Sequence, residues 1–246
     1  MLNDNAKRVR AEYNRWHDRR EEVDDLPSDL NNPWNRFVCD NIPNLADKVV
    51  LEMACGRGQL TSFLVAKGAK VIGADISSRA LAITRERLSA QMLAAMVVTA
   101  DACKIPLADN SVDIVISCET VEHTPDPIQV FGEFHRVLKP DGKLILTFPS
   151  HLNLTGLYRI YLWLRGRPYN SGVEVQPIEQ PLLGFRVFSA LRRLNFRILS
   201  TDSCGHYFLM PGRPPKRIRI LENAKVLRRL LSPFALHFGV IAVRSR

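Results

Sequence analysis

The chain lacks any uninterrupted run of about eighteen apolar residues, which excludes a membrane-spanning helix of ordinary length. It also lacks a CxxC pair. The five cysteines, Cys39, Cys55, Cys103, Cys118 and Cys204, stand apart and are odd in number. That pattern argues against a zinc site and for reduced thiols in a cytoplasm-like compartment. The N-terminus carries Asp4, Lys7, Arg8 and Arg10 with no apolar core after them, which speaks against a secretory signal. There is no internal repeat and no low-complexity segment. The first 149 residues have no basic excess: 18 Lys and Arg stand against 21 Asp and Glu, a net of −3.

What is present is concentrated in two places. Residues 150–246 hold 16 Lys and Arg against 4 Asp and Glu, a net of +12. Such a field suits an anionic partner, such as a phosphorylated substrate, a membrane surface or nucleic acid; it also suits a plain solvated surface. The second concentration is the run Val49-Val50-Leu51-Glu52-Met53-Ala54-Cys55-Gly56-Arg57-Gly58. A β-branched stretch stops at two glycines and resumes as an amphipathic pattern. It reads as strand, tight turn and helix, with the backbone free to approach a ligand.

Periodicity extends this reading. Residues 1–47 form a helical, highly charged lead-in interrupted by Pro27, Pro33 and Pro43, with Trp34, Phe37 and Val38 available to pack on the core. Strands are expected at Lys48–Met53, Lys70–Asp75, Ala95–Ala100, Val112–Ser117 and Lys143–Phe148. Helices are expected at Gly58–Lys67, Ser78–Ala90 and Asp126–Leu138, with Ser77 or Ser78 as N-cap of the second. Lys139-Pro140-Asp141-Gly142 has turn chemistry. Alternating βα units imply a parallel sheet covered on both faces. Beyond 150 the regularity weakens. Leu152–Arg167 has apolar residues at helical spacing, 168–184 reads as loop, Phe188–Leu194 as helix, Phe196–Ser200 as strand, Ala224–Leu231 as helix and His237–Val243 as a last strand.

Two cofactor types use a strand, a glycine turn and a helix. A dinucleotide needs GxGxxG with its pyrophosphate on the helix N-terminus. Here Thr61 stands at the third small position, and Glu52 would set a negative charge beside that pyrophosphate. S-adenosylmethionine carries an ammonium and a sulfonium instead, which suit an acidic rim. Asp75 closes the second apolar run and can accept hydrogen bonds from both ribose hydroxyls, a role common to both cofactors. Asp101-Ala102 ends the third strand, where a carboxylate can meet the adenine amino group; a helix or turn cap is the competing reading.

The chain here resembles class I S-adenosylmethionine-dependent methyltransferases, on Glu52-x-Ala54-x-Gly56-x-Gly58, Asp75, Asp101, Ser111-Val112-Asp113-Ile114-Val115, Glu122-His123 and Arg136-Val137-Leu138-Lys139-Pro140-Asp141-Gly142-Lys143. It is most similar to the small-molecule branch, methyltransferase type 11, that includes quinone-biosynthesis enzymes. The likeness covers roughly residues 45–150. Ala54 departs from it, since glycine commonly stands there. The resemblance implies a doubly wound, mostly parallel, seven-stranded Rossmann-like sheet with helices on both faces and an antiparallel last strand. The expected domain spans 48–246, after the 1–47 lead-in, with 150–185 as a lid or substrate insertion. By the same likeness Glu52, Ala54, Gly56 and Gly58 hold the methionine part of S-adenosylmethionine, Asp75 and Ile76 the ribose, and Asp101 and Ala102 the adenine. Cys118 and Glu119 line the pocket.

Methyl transfer is an in-line displacement, and positioning with desolvation can carry much of it. If the acceptor is a hydroxyl, a base helps, and histidine titrates in the right range. His123 and His151 are the candidates, with His206 more distant; a histidine that merely holds its loop is the other reading of His123. Cys118 reads as a buried strand-end thiol rather than a nucleophile. Leu152–Arg167 reads as a lid, with a peripheral membrane contact as the alternative. Arg213-Pro214-Pro215-Lys216-Arg217-Ile218-Arg219 is a basic patch for a phosphate or an acidic carrier, or simply an exposed loop.

The expectation is a cytoplasmic methyltransferase acting on a small, anionic or lipid-like acceptor, with O-methylation first and C- or N-methylation open. Three rivals stand beside it: an RNA or protein methyltransferase using the basic C-terminal region, a nicotinamide-dependent dehydrogenase, and a non-catalytic module of the same fold. The paired aromatic and basic residues of a recognised RNA module are absent, so nucleic acid is not the expected partner.

Overall fold

The computed structural model describes residues 4–21, 30, 32–149, 164–166, 177, 178, 180, 182–208, 216, 217, 226 and 235–246. Its strands are β1 (Val49–Met53), β2 (Lys70–Asp75), β3 (Met96–Thr99), β4 (Val112–Cys118), β5 (Leu138–Pro149), β6 (Phe196–Phe208), β7 (Lys216–Arg217) and β8 (Ala235–Arg244). The helices are α1 (Asp4–Glu21), α2 (Pro33–Asn41), α3 (Gln59–Ala66), α4 (Ser78–Ala90), α5 (Pro127–Val137) and α6 (Gly184–Arg193). No helix among the described residues is long and apolar enough to cross a membrane.

The strands form one sheet in the order β3-β2-β1-β4-β5-β8-β6-β7. β1 to β5 pair in parallel, while β8 lies antiparallel between β5 and β6. The doubly wound core and antiparallel last strand agree with expectation. An eighth, two-residue strand is added at the edge, where Lys216 and Arg217 pair with Phe208 and Tyr207. The order steps outward from β1 to β3, then returns on the other side at β4. That reversal opens a crevice at the carboxyl ends of β1 and β4, where such sheets bind ligands.

Both faces of the sheet are buried, so neighbouring strand residues serve different layers. Leu51, Val115, Leu144 and Leu146 pack with Phe131 and Phe134 of α5 and Leu191 of α6. Val50, Ile114, Ile116 and Ile145 pack with Leu60 and Leu64 of α3 and with Phe37 and Val38 of α2. Full burial of side chains this size contributes roughly 1.5–3 kcal/mol each. The continuous Val/Ile/Leu runs of the strands are the consequence.

Local chemistry sets the boundaries. Ser77 caps α4, its hydroxyl accepting from the Ala80 amide at 3.1 Å. Asp126 caps α5 by accepting from Ile128 and Gln129, and Pro127 occupies the first turn. The expected turn at 139–142 is a bulge inside β5, where the register jumps from Val112–Leu138 to Ile114–Lys143. Asp113 accepts from the Val49 amide and from Lys139 Nζ, each at 2.9 Å, and so ties β4 to the start of β1 and to β5. Burial pushes its pKa up, but these two partners outweigh burial and hold the carboxyl below its ordinary range.

Some expectations need correction. α6 starts at Gly184 rather than Phe188, because Leu183 before it makes no side-chain cap that the sequence would betray. β6 runs on past Ser200 to Phe208, since the polar stretch Thr201–Cys204 pairs with β8. His151, the helix expected over Ala224–Leu231 and the patch Arg213–Arg219 lie outside the described residues, save for 216, 217 and 226. So does the Leu152–Arg167 lid, save for 164–166, and so does the side chain of His206.

Candidate active site

The turn after β1 is built from left-handed backbone. Ala54, Gly56 and Gly58 have φ of +57°, +55° and +77°. The two glycines serve different ends. A Cβ on Gly58 would meet Thr84 Cγ2 at 2.7 Å, so that glycine lets α3 and α4 approach. A Cβ on Gly56 would meet nothing within 4 Å, because Gly56 faces open space. Asp75 at the end of β2 closes the turn. Its Oδ2 accepts from the Gly56 amide at 2.9 Å and its Oδ1 from the Ser77 amide at 2.8 Å. Burial raises the pKa of this carboxyl, and the Ser77 and Gly56 amides oppose that rise.

A cavity of about 500 Å³ lies over these strand ends. Eight of the ten expected cofactor residues line it: Ala54, Gly56, Asp75, Ile76, Asp101, Ala102, Cys118 and Glu119. Asp101 Oδ1 accepts from the Cys103 amide at 2.9 Å, so the carboxylate also shapes the turn after β3. Burial pushes the Cys118 thiol well above its ordinary range, which keeps it a neutral thiol.

Glu52 and Gly58 do not line the cavity. Glu52 is buried, and its Oε2 accepts from the Thr61 hydroxyl at 2.5 Å. Burial pushes this carboxyl up to about 8, against the Thr61 bond, with Asp75 adding to the rise. Thr61, at the position where a dinucleotide motif wants a small residue, is therefore Glu52's partner. Gly58 is turned toward Thr84, as described above.

His123 lines the cavity, and both of its nitrogens lie near polar groups. Nδ1 is 2.7 Å from the Ile178 carbonyl, to which it donates, and Nε2 is 3.5 Å from Glu122 Oε1. Gln180 fastens the same loop: its amide donates to the Glu122 carbonyl and its side chain to the carbonyls of Thr124 and Pro125. Ile178 and Gln180 thus fasten the 122–125 loop beside the cavity.

The charged lead-in supplies a wall that the sequence reading missed. Ala6, Val9, Tyr13, Trp16 and His17 of α1 all line the cavity and are buried. Their spacing of three and four residues is one helical stripe, a signal masked by the charges around it. α1 is held down by Asn14. Its Oδ1 accepts from the Ser77 hydroxyl at 2.8 Å and the Arg79 amide at 3.2 Å, and its Nδ2 donates to Ser78 Oγ at 3.2 Å. Asp18 pairs with Arg79 at 2.9 Å. Arg57, which could have met a pyrophosphate at the glycine turn, donates instead to the His17 carbonyl at 3.0 Å. Burial, with Asp75 and Glu122 nearby, holds the Tyr13 hydroxyl protonated far above its ordinary range.

The donor set fits S-adenosylmethionine. The carboxylates of Asp75 and Asp101 can accept from ribose hydroxyls and an amino group, and with Glu119 on the same wall the cavity favours a cation. Among the described residues no group of three or more His, Cys, Asp and Glu side chains is placed to hold a metal.

Comparison with known proteins agrees. Residues 51–146 match the methyltransferase domain family. The chain is 35% identical over 145 residues to a demethylmenaquinone methyltransferase of Thermus thermophilus, covering 57% of this chain and 66% of that one. It is 33% identical over 135 residues to a ubiquinone biosynthesis O-methyltransferase of Pseudomonas paraeruginosa, covering 54% and 57%. The chain thus spans under two thirds of the length of either relative. A SAM-dependent methyltransferase from Aquifex aeolicus superposes with a TM-score of 0.61 over 93% of this chain and 98% of that one, at 18% identity, so the fold is shared. Matched domain, sheet order and cavity lining agree on one cofactor, S-adenosylmethionine.

Proposed function

We propose that this chain, whose residues 51–146 are a domain of the methyltransferase family, transfers the methyl group of S-adenosylmethionine to a small or lipid-like acceptor. The observation that carries the proposal is the set of acids at the ends of β2, β3 and β4, Asp75, Asp101 and Glu119, facing one cavity roofed by Tyr13 and Trp16. Asp75 takes the ribose hydroxyls, Asp101 and Ala102 the adenine side, and the turn at Ala54 and Gly56 the methionine part. Glu52 acts from behind the turn, by holding Thr61 rather than by contact with the cofactor. His123 lines the cavity and holds its loop through Ile178. His151 remains a candidate for the acceptor side.

O-methylation is the favoured chemistry, supported by the relative named as a ubiquinone biosynthesis O-methyltransferase. The unit proposed is the 48–246 domain, with 150–185 covering the acceptor. Cytoplasmic placement is supported by the thiols: Cys39, Cys55, Cys103 and Cys118 are all free.

The test is methyl transfer from isotopically labelled S-adenosylmethionine to a panel of catechols, hydroxybenzoates and alkylated hydroquinones, read by mass spectrometry. Labelled methyl ether from one acceptor class is the expected result. Cofactor binding without transfer to any of them overturns the acceptor assignment.

The charge of residues 150–246 favours a second reading, methylation of RNA or protein. Tight RNA binding that weakens steeply with salt would support it.

A further inference from the structure

Glu119 stands out within the cavity wall. It directly follows β4 with φ of +48°, a conformation that non-glycine residues adopt at a cost and often at functional sites. Its amide donates to the Thr147 carbonyl at 3.1 Å, which fixes the backbone from β5. Oε2 lies 2.6 Å from Nδ1 of His237. Oε1 is buried and has no hydrogen-bond partner among the described residues. A buried carboxylate oxygen without a donor is costly, and in a ligand cavity the missing donor is naturally the ligand's own.

His237 is itself held from two sides. It sits on β8 opposite Pro149 of β5, and its ring lies 5.0 Å from that of Trp34. With Nδ1 directed at a carboxylate, the ring is fixed as an Nδ1–H donor.

Position across the sheet suggests which ligand group arrives. Asp75 ends β2 and Glu119 directly follows β4, with β1 between the two strands. Adjacent strands lie about 4.8 Å apart, so Glu119 is about 10 Å along the crevice from the ribose acid. His237 is two strands further in the same direction. The pair therefore lies at the end away from adenosine, where a methyl acceptor must approach.

We propose that Glu119 receives the proton of the acceptor's hydroxyl and that His237 positions it, an assignment that rests on the methyltransferase reading above. The acceptor oxygen attacks the methyl carbon, the O–C bond forms, and the C–S bond breaks with its electron pair left on sulfur. The sulfonium becomes a neutral thioether. The hydroxyl proton passes to Oε1 of Glu119, whose negative charge had been held by the Nδ1–H of His237. Glu119 is the catalytic residue, and His237 is a positioning residue acting through it.

The test uses the full chain, S-adenosylhomocysteine, 5′-methylthioadenosine and catechol as a simple aromatic diol, with circular dichroism to confirm folding. In Glu119→Gln, affinity for S-adenosylhomocysteine should stay within about threefold. Catechol binding to the S-adenosylhomocysteine complex should weaken at least tenfold, and kcat should fall by about 10²-fold or more, in the range for loss of a general base. His237→Ala should lower kcat with the KM for S-adenosylmethionine unchanged, and His237→Asn, which keeps a donor, should restore part of it.

Two outcomes overturn the assignment while leaving the methyltransferase reading intact. One is unaltered catechol binding and turnover in Glu119→Gln. The other is a tenfold loss of S-adenosylhomocysteine affinity with 5′-methylthioadenosine unaffected, which would give Glu119 to the cofactor's ammonium. Wild-type protein that binds S-adenosylhomocysteine but no diol overturns the hydroxyl-acceptor reading and this proposal together. Failure to bind S-adenosylhomocysteine overturns the cofactor assignment itself.

Discussion

The amide of Gly56 donates to Oδ2 of Asp75 at 2.9 Å, so the carboxylate that ends β2 also closes the turn that ends β1. One side chain thus shapes the glycine turn and faces the cofactor cavity. Structure and binding are coupled through it.

Substitution of Asp75 should therefore damage both properties. Asp75→Ala leaves the Gly56 and Ser77 amides without their acceptor, a loss of about 1–3 kcal/mol. Cofactor affinity should fall at least tenfold. Chemical denaturation and calorimetric titration measure the two effects separately.

Asn14 should govern cofactor residence. Its side chain bonds Ser77, Ser78 and Arg79 and so holds the α1 stripe over the cavity. Asn14→Ala should speed dissociation of S-adenosylmethionine several-fold and destabilise the fold by about 1 kcal/mol. Stopped-flow displacement reads the first effect; a wild-type dissociation rate would show that α1 does not gate the cavity.

Glu52 sets a pH dependence whose sign is unusual for a carboxylate. Its folded value is about 8, against an ordinary 4.5. The folded protein keeps this proton where the unfolded chain has lost it. The stabilising contribution is complete at pH below about 4.5 and is lost as pH rises to about 8. Glu52→Gln should flatten the fall in Tm over that window and raise Tm at its alkaline end. Each kcal/mol recovered is worth about 2–4 °C in a chain this long. Parallel melting curves of the two proteins across that range are the check.

Ala54 occupies a left-handed position, with φ of +57°. The L side chain pays roughly 1–2 kcal/mol there, partly offset by its lower unfolded-state entropy relative to glycine. Ala54→Gly should be neutral or stabilising by up to about 1 kcal/mol, unlike most core substitutions. Equilibrium denaturation decides it.

Much of this arrangement is legible in the chain because it is local. Ser78–Ala90 is found with the boundaries its capping serine and periodicity suggest. The strand-end residues Asp75, Asp101 and Glu119 reach the cavity because strands that end at a switch point deliver their last residues there. The failures concern direction and distance. An acid at a strand end looks the same whether it faces a cavity or, like Glu52, a buried threonine. The α1 stripe is five residues in a helix dominated by charge. The Glu119–His237 contact joins residues 118 apart, across a strand that separates their own, and no local pattern announces it.

The central claim is that the crevice beyond β1, β2 and β4 takes an adenosyl sulfonium and not a dinucleotide. Calorimetric titration of the purified chain with S-adenosylmethionine and, in parallel, with NADH tests it most directly. One molecule of S-adenosylmethionine bound per chain, lost on Asp75→Ala, with no heat from NADH, is the predicted outcome. Saturable NADH binding, or no binding of S-adenosylmethionine by folded protein, would contradict it.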